Sequence, residues 1–129
     1  MEQITPGLKG QQQTTVTEDT TARHLGSGGI DVFATPAMIA LMEGAAVDAI
    51  DKLLPDGQAS VGIELNVKHL AATPLGKSVR AEAEVTEVDR RKITFTVRAY
   101  DEVELIGEGT HTRFVIDLER YTARLDEKR

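Results

Sequence analysis

The chain has 129 residues and a mass of 14.0 kDa, which is enough for one domain with one hydrophobic core. Its 21 acidic residues outnumber its 15 basic ones and give a net charge of −6, so the basic surface that supplies most non-specific affinity for nucleic acid is missing. Because there is no cysteine and no apolar run near the ~20 residues that span a bilayer, disulfides and a membrane span are excluded, and we expect a cytoplasmic protein without nucleic-acid or membrane partners.

The beginning of the chain is predicted to be loosely ordered. Residues 1–12 are rich in Gly, Pro and Gln, a composition typical of a segment that leads into a first strand, which we predict at residues 14–18. Residues 25–31 include three glycines and are predicted to form a flexible loop, too short to link two domains.

One long helix is predicted from about Thr35 to Leu54. Thr35 can cap it, Pro36 suits its first position, and the Pro-Asp-Gly sequence at 55–57 ends it. From residue 37 to residue 49 the helix is apolar on nearly every side, so we expect it to be deeply buried.

After residue 57 the apolar residues recur with a period of 2, which predicts strands joined by turns. Tight turns between them indicate antiparallel pairing. The predicted apolar faces are Val61, Ile63, Leu65 and Val67; Val79, Ala81, Ala83 and Val85; Ile93, Phe95, Val97 and Ala99; and a last run over about residues 103–116, before a short charged stretch that ends the chain.

These elements predict an α+β fold. The sheet must bury its apolar face, and the long helix is the only candidate to cover it, so we expect a strongly curved antiparallel sheet wrapped around one central helix, the hotdog fold, as a single domain over residues 1–129. Such a sheet leaves an edge strand that has to be paired or covered. We therefore expect a homodimer or a higher oligomer.

Glu43 is the most informative candidate for chemistry. Its neighbours at i−4 and i+4, Ile39 and Val47, lie on the apolar stripe of the helix. A carboxylate in that position must pair, change its protonation or face a cavity, and all three are typical of catalytic acids and bases. The alternative is an ion pair at a helix end or an interface.

His69 and Thr35 are the next candidates. His69 has the parity of Val67, which directs its imidazole toward the helix at the end of a strand, where it either meets a helix side chain or satisfies a turn carbonyl. The hydroxyl of Thr35 would ordinarily cap the helix, but the amides there also suit an acyl oxygen. Thr35 and Glu43 are about 12 Å apart along the helix, so their contact requires another segment or a substrate.

His111 and Arg113 share a strand face with Gly107 and Gly109, whose missing side chains leave room for a phosphate or pantetheine group. A solvated polar face with glycines that ease sheet curvature is the alternative, and we favour it. Gly-rich nucleotide motifs and the His-Glu-x-x-His metal motif are absent from the sequence, so we expect no metal ion and no cofactor.

The residues then resemble a known group, the hotdog thioesterases similar to fluoroacetyl-CoA thioesterase. The resemblance extends over most of the chain. It rests on Val32-Phe33-Ala34-Thr35, Met38-Ile39-Ala40-Leu41-Met42-Glu43, Val61-Gly62, His69-Leu70-Ala71-Ala72-Thr73-Pro74 and Gly107-Glu108-Gly109-Thr110-His111-Thr112-Arg113.

The resemblance implies a homodimer that binds acyl-CoA at the subunit interface. It implies that Thr35, Glu43 and His69 are the catalytic residues, with Gly62 near the thioester carbonyl, and coenzyme A would enter only as part of the substrate. Phe33, His111 and Arg113 are expected to join Gly62 in binding the substrate.

The expected activity is hydrolysis of a short or small acyl-CoA thioester. Thr35 or Glu43 attacks the carbonyl, or Glu43 activates water, while His69 donates or accepts a proton. The loop before Phe33 has no aromatic residue to close over a small acyl group, so we do not expect fluoroacetyl-CoA itself. A hotdog protein that binds acyl-CoA or another small ligand without turnover is the alternative.

Overall fold

The computed structural model describes residues 1–129 and contains one five-stranded antiparallel sheet. The strands lie in the order β1-β3-β4-β5-β2, so β1 and β2 form the two edges. The elements are β1 (Lys9–Thr15), α1 (Ala22–Leu25), α2 (Thr35–Ile50), β2 (Gln58–His69), β3 (Ser78–Asp89), β4 (Lys92–Tyr100), β5 (Leu105–Asp117) and α3 (Leu118–Asp126).

The predicted hotdog architecture is confirmed, because the sheet curls around the long helix α2. The core lies between α2 and the inner face of β3 and β4. It contains the alternating residues that the sequence pattern assigns to the apolar faces of these two strands, together with Met38, Leu41, Met42, Ala45, Ala46, Ala49 and Ile50 of the helix.

The first strand begins earlier than the sequence pattern predicts. β1 starts at Lys9 and includes the three glutamines, and Ile4 is buried in the core, so the prediction of a loosely ordered segment over residues 1–12 is wrong. Gly10 explains why the strand lies where it does. A Cβ at Gly10 would overlap the backbone of α2 at Ala45 and Ala49, so only glycine allows β1 to pack this closely on the helix.

A β-bulge between Gly62 and Glu64 changes which residues of β2 face the helix. Leu65 and His69 point inward as predicted, but Ile63 is 54% exposed, so its predicted place on the apolar face is wrong. Before the bulge it is Ser60 and Gly62 that face the helix. The extra residue of a bulge shifts a period of 2 by one position, which the sequence pattern did not reveal.

Helix α2 differs from its prediction at both ends. Ala34 is its N-cap and makes no side-chain hydrogen bond, while Thr35 is already the first helical residue, so the predicted capping role of Thr35 is wrong. The helix ends at Ile50 and a 3₁₀ turn, Asp51–Leu53, follows. Nor is it buried all round, since Val47 is exposed.

The charged C-terminal stretch forms the amphipathic helix α3, which the sequence analysis missed. None of the helices is long and apolar enough to cross a membrane.

Candidate active site

Thr35 and His69 meet at the N-terminal end of α2. Residue 69 is the last of β2, and its ring nitrogen Nδ1 lies 2.8 Å from the Thr35 hydroxyl oxygen. Because the hydroxyl does not cap the helix, it is available to this hydrogen bond. The pair joins a potential nucleophile to a potential base at the helix end where backbone N–H groups are free.

Burial favours the neutral form of the His69 imidazole. Burial lowers the pKa of His69 below its ordinary value of 6.5, and the nearby backbone of Ala71 opposes this only in part. The second ring nitrogen, Nε2, is shielded from solvent and has no hydrogen-bond partner. His69 can therefore accept a proton at neutral pH, and it has one unused polar atom.

Glu43 lies in a second group of polar side chains, with Arg113 and His111 of β5. Its Oε2 is 3.4 Å from Arg113 Nη1 and 3.9 Å from His111 Nε2. Of the outcomes expected for a carboxylate on the apolar stripe, Glu43 therefore shows pairing, and its side chain is 36% exposed. Oε1 makes no hydrogen bond within the chain and is free to meet a substrate, a water molecule or another subunit.

His111 and Arg113 are buried, 1% and 6% exposed, so the favoured interpretation of a solvated face is wrong. Arg113 Nη1 donates to His111 Nε2 at 3.1 Å, and since an arginine cannot accept, Nε2 must be the unprotonated nitrogen. Nδ1 of His111 then carries the proton and donates to the carbonyl of Glu64 at 2.9 Å. Burial lowers the pKa of His111, which agrees with a neutral ring.

Arg113 is held by Ser60 and Asp51, two residues that the sequence analysis missed. Its Nε donates to the Ser60 hydroxyl at 2.7 Å, and its Nη2 donates to the Ser60 carbonyl at 2.9 Å. Burial lowers the pKa of Arg113 from its ordinary range, while the carboxylates of Asp51 and Glu43 counteract the effect. The guanidinium therefore keeps its charge in a buried position.

The absence of a side chain at Gly62 leaves room for the carboxylate of Glu43. A Cβ at position 62 would lie 2.5 Å from Glu43 Oε2 and 3.1 Å from His111 Cε1. The glycine therefore lies beside the carboxylate.

A cleft of about 390 Å³ opens beside Thr35 and His69. The loop over residues 26–31 and Phe33 form one wall, and Leu70 and the residues after it form the other. Phe33 itself is 1% exposed, so most of its side chain packs in the core. The structure brings together no group of three His, Asp or Glu side chains that could hold a metal ion.

Within one chain, Glu43 does not join the pair of Thr35 and His69. Eight residues of helix separate it from Thr35, about 12 Å, and Gly62 beside it is more than about 20 Å along β2 from His69. A single chain therefore contains two half-sites, one with Thr35 and His69 and one with Glu43, Gly62 and Arg113.

Comparison with known proteins gives consistent results. Residues 16–119 match the family described as fluoroacetyl-CoA-specific thioesterase. The fluoroacetyl-CoA thioesterase of Streptantibioticus cattleyicolor is 44% identical over 98 residues, which are 76% of this chain and 70% of that protein.

Solved structures extend the similarity to nearly the whole chain. A solved structure of a fluoroacetyl-CoA thioesterase has a TM-score of 0.91 and 37% identity, and the match covers 98% of both chains. A Thermus thermophilus protein described as a thioesterase superfamily member has a TM-score of 0.90 and 29% identity, covering 99% of this chain and 97% of its own. A hot-dog-like protein from Thermanaerovibrio acidaminovorans, 24% identical with a TM-score of 0.89, covers 98% of this chain and 94% of its own and shares the fold.

Proposed function

Because this chain belongs to the fluoroacetyl-CoA-specific thioesterase family, we propose that it hydrolyses a small acyl-CoA thioester at a site built by two copies of the chain. That the chain is a thioester hydrolase follows from the family; the residues, the assembly and the acyl group are our proposal. The observation that carries it is the hydrogen bond between Thr35 and His69 beside an open cleft.

The exposed edge of the sheet supports a dimer. β2 has 12 residues and pairs only with β5, so its other side presents unpaired backbone groups to solvent. Apolar side chains are exposed next to this edge and on the helix, among them Ile63 and Val47. Pairing of two β2 strands about a two-fold axis would satisfy the backbone groups and cover part of this apolar surface.

The same pairing would unite the two half-sites. Residues equally far from a two-fold axis face each other in an antiparallel pair, so an axis between Leu65 and Asn66 brings His69 opposite Gly62 of the second subunit. Glu43 of that subunit lies beside Gly62. Its free Oε1 would then accept a hydrogen bond from His69 Nε2, the buried nitrogen that has no partner in the single chain.

The completed site would contain a nucleophile, a base and a group that orients the base. Thr35 Oγ1 forms a bond to the thioester carbonyl carbon while its proton passes to His69 Nδ1. Backbone N–H groups at the start of α2 or at Gly62 stabilise the oxyanion. The C–S bond then breaks, the proton on His69 moves to the sulfur of coenzyme A, and water hydrolyses the acyl-threonine ester by the same proton path.

A second route uses the same residues without a covalent intermediate. Glu43 accepts a proton from a water molecule as its oxygen bonds to the carbonyl carbon. The C–S bond then breaks, and the proton passes from Glu43 by way of His69 and Thr35 to the leaving sulfur. Its support is the partly exposed carboxylate with one free oxygen. Rapid quenching followed by mass spectrometry separates the routes, since only the first leaves the acyl group on Thr35.

The composition of the loop at residues 26–31 indicates which acyl groups the cleft can accept. It contains three glycines and no aromatic residue, and Ile30 is its only large apolar side chain. The cleft below it is open enough for acyl groups larger than acetyl. We therefore propose a short acyl group other than fluoroacetyl. The proposal includes no metal ion or cofactor, since coenzyme A is part of the substrate, and it assumes a cytoplasmic reaction.

The deciding experiment is free-thiol release from a panel of short, branched, aromatic and halogenated acyl-CoA thioesters. Thr35→Ala, Glu43→Gln and His69→Ala should each lower kcat by about 100-fold or more. Thr86→Ala provides a matched control, because its hydroxyl lies on the exposed part of β3. If the chain binds these thioesters but releases no thiol, it is a ligand-binding protein and the proposed function is wrong.

A further inference from the structure

A chain of hydrogen bonds connects the end of α2 to the carboxylate in its middle. Asp51 Oδ1 accepts from the Ser60 hydroxyl at 2.5 Å, and Asp51 Oδ2 accepts from the Ser60 amide at 3.3 Å. Arg113 Nε donates to the same hydroxyl, and Arg113 Nη1 reaches Glu43. The connected side chains are those of Asp51, Ser60, Arg113 and Glu43, which we call the buttress.

The direction of each hydrogen bond in the buttress is fixed. A carboxylate only accepts, so the Ser60 hydroxyl must donate its proton to Asp51 and turn a lone pair toward Arg113. Ser60 then holds the guanidinium at two nitrogens, Nε and Nη2. This leaves Nη1 to contact Glu43 and His111, and the plane of the guanidinium cannot rotate without loss of a bond to Ser60.

We propose that Ser60 and Asp51 are positioning residues, which hold Arg113 so that it orients the catalytic carboxylate of Glu43. The inference rests on the proposed function, because it assigns these residues to the reaction at that site. Neither residue touches the cleft at Thr35 and His69. They act only through Arg113.

A purely stabilising role does not account for the buttress. Burying a charged arginine costs desolvation energy that ion pairs seldom return in full, and well-packed apolar residues usually stabilise such a position as well or better. The guanidinium of Arg113 instead contacts the carboxylate of Glu43, which is 36% exposed. One oxygen of this carboxylate is bound by Arg113 and the other is free. This arrangement fixes the orientation of a reacting group.

The test is a double-variant cycle measured with the acyl-CoA that the wild-type chain hydrolyses fastest. Ser60→Ala should lower kcat by about 10- to 100-fold, as expected for a misplaced reacting group, and change KM less than about threefold. Ser60→Thr keeps the hydroxyl and should restore most of the rate. In a Glu43→Gln background Ser60→Ala should cause no further loss, because the group through which it acts is already gone.

Ser78→Ala is the matched control, since Ser78 lies on β3 outside the buttress and its side chain makes no hydrogen bond. A folded Ser60→Ala protein with kcat within twofold of wild type would overturn the inference. So would an equal loss of rate in the Glu43→Gln background. If Ser60→Ala does not unfold cooperatively, Asp51→Asn, which keeps the size of the side chain, undergoes the same cycle with the same criteria.

Crystal structures of the variants provide a readout that does not depend on turnover. Arg113 Nη1 should leave hydrogen-bond distance of Glu43 in Ser60→Ala but remain there in Ser60→Thr. If Arg113 does not move in Ser60→Ala, the inference is wrong. If Arg113 moves but the wild-type chain releases no thiol, only the proposed function is contradicted.

Discussion

His69 is the residue whose protonation should govern the reaction. Its imidazole must be neutral to accept a proton from Thr35, and burial lowers its pKa below the ordinary 6.5. In the proposed dimer the Glu43 carboxylate at Nε2 opposes this effect, because a neighbouring negative charge stabilises the imidazolium and raises the pKa of His69. We expect kcat/KM to decline as the pH falls through the pKa of His69, and Glu43→Gln, which removes the carboxylate charge, should shift the midpoint of this decline to lower pH.

The pH profile can be assigned to His69 by NMR. The imidazole resonance that disappears in His69→Ala should titrate with the same midpoint as kcat/KM. A midpoint that does not move in Glu43→Gln would contradict the proposed contact between Glu43 and His69.

The sequence pointed to some of these residues because a polar side chain stands at a position where the local pattern directs it inward. Glu43 interrupts an apolar stripe, and His69 continues the inward parity of a strand to its end; both effects are visible from neighbouring residues alone. Ser60 and Asp51 carry no such signal. A serine and an aspartate near a helix end are ordinary, and their importance arises only when folding brings Arg113 against them.

The closeness of β1 to α2 depends on a single glycine. A Cβ at Gly10 would lie 2.8 Å from Ala49 Cα and overlap further backbone atoms of the helix, which cannot move aside as a flexible side chain can. Gly10→Ala should lower the free energy of unfolding by about 2–3 kcal/mol through overpacking. Chemical denaturation measures this change.

Gly29→Ala is the control for Gly10→Ala. A Cβ at Gly29 meets no atom within 4 Å and its backbone angles are accessible to alanine, so its effect should remain below about 1 kcal/mol. Equal effects of the two variants would show that β1 is not fixed by close contact with the helix.

Elements with a clear period were predictable, and those without one were not. Helix α2 and strands β3 and β4 follow periods of 3.6 and 2 because one face of each meets the core. β1 was predicted at residues 14–18 and thus placed too late in the chain, because its residues are mostly polar and exposed and its pairing with β3 leaves no apolar alternation. In β2 the bulge reverses the parity within one strand, so Gly62 was assigned to the outer side by pattern although it faces Glu43.

At the scale of the molecule, the single chain leaves complementary groups unused. One long edge strand lacks a second neighbour, one buried imidazole nitrogen lacks a partner, and one carboxylate oxygen is free. A buried polar atom without a hydrogen bond costs about 1–3 kcal/mol. A two-fold dimer through β2 would remove these deficits together, which is why we assign His69 and Glu43 of one active site to different subunits.

This assignment predicts that two inactive variants restore each other. Glu43→Gln and His69→Ala each inactivate both sites of their own homodimer. In a heterodimer of the two, one site receives both substitutions and the other receives none. When an equimolar mixture is unfolded and refolded, half of all dimers are heterodimers. Each heterodimer has one intact site of two, so thiol release should recover to about a quarter of the wild-type rate.

The control mixture combines Thr35→Ala with His69→Ala, two residues that hydrogen-bond within the same chain. A heterodimer of these variants carries one substitution in each site, so no site is intact and the rate should stay at the level of the separate variants. Recovery in the first mixture and none in the second assigns Glu43 to the opposite subunit. If native mass spectrometry detects the heterodimers but neither mixture recovers activity, the three residues act within one chain. A movement of α2 relative to β2 would then have to bring the two half-sites together.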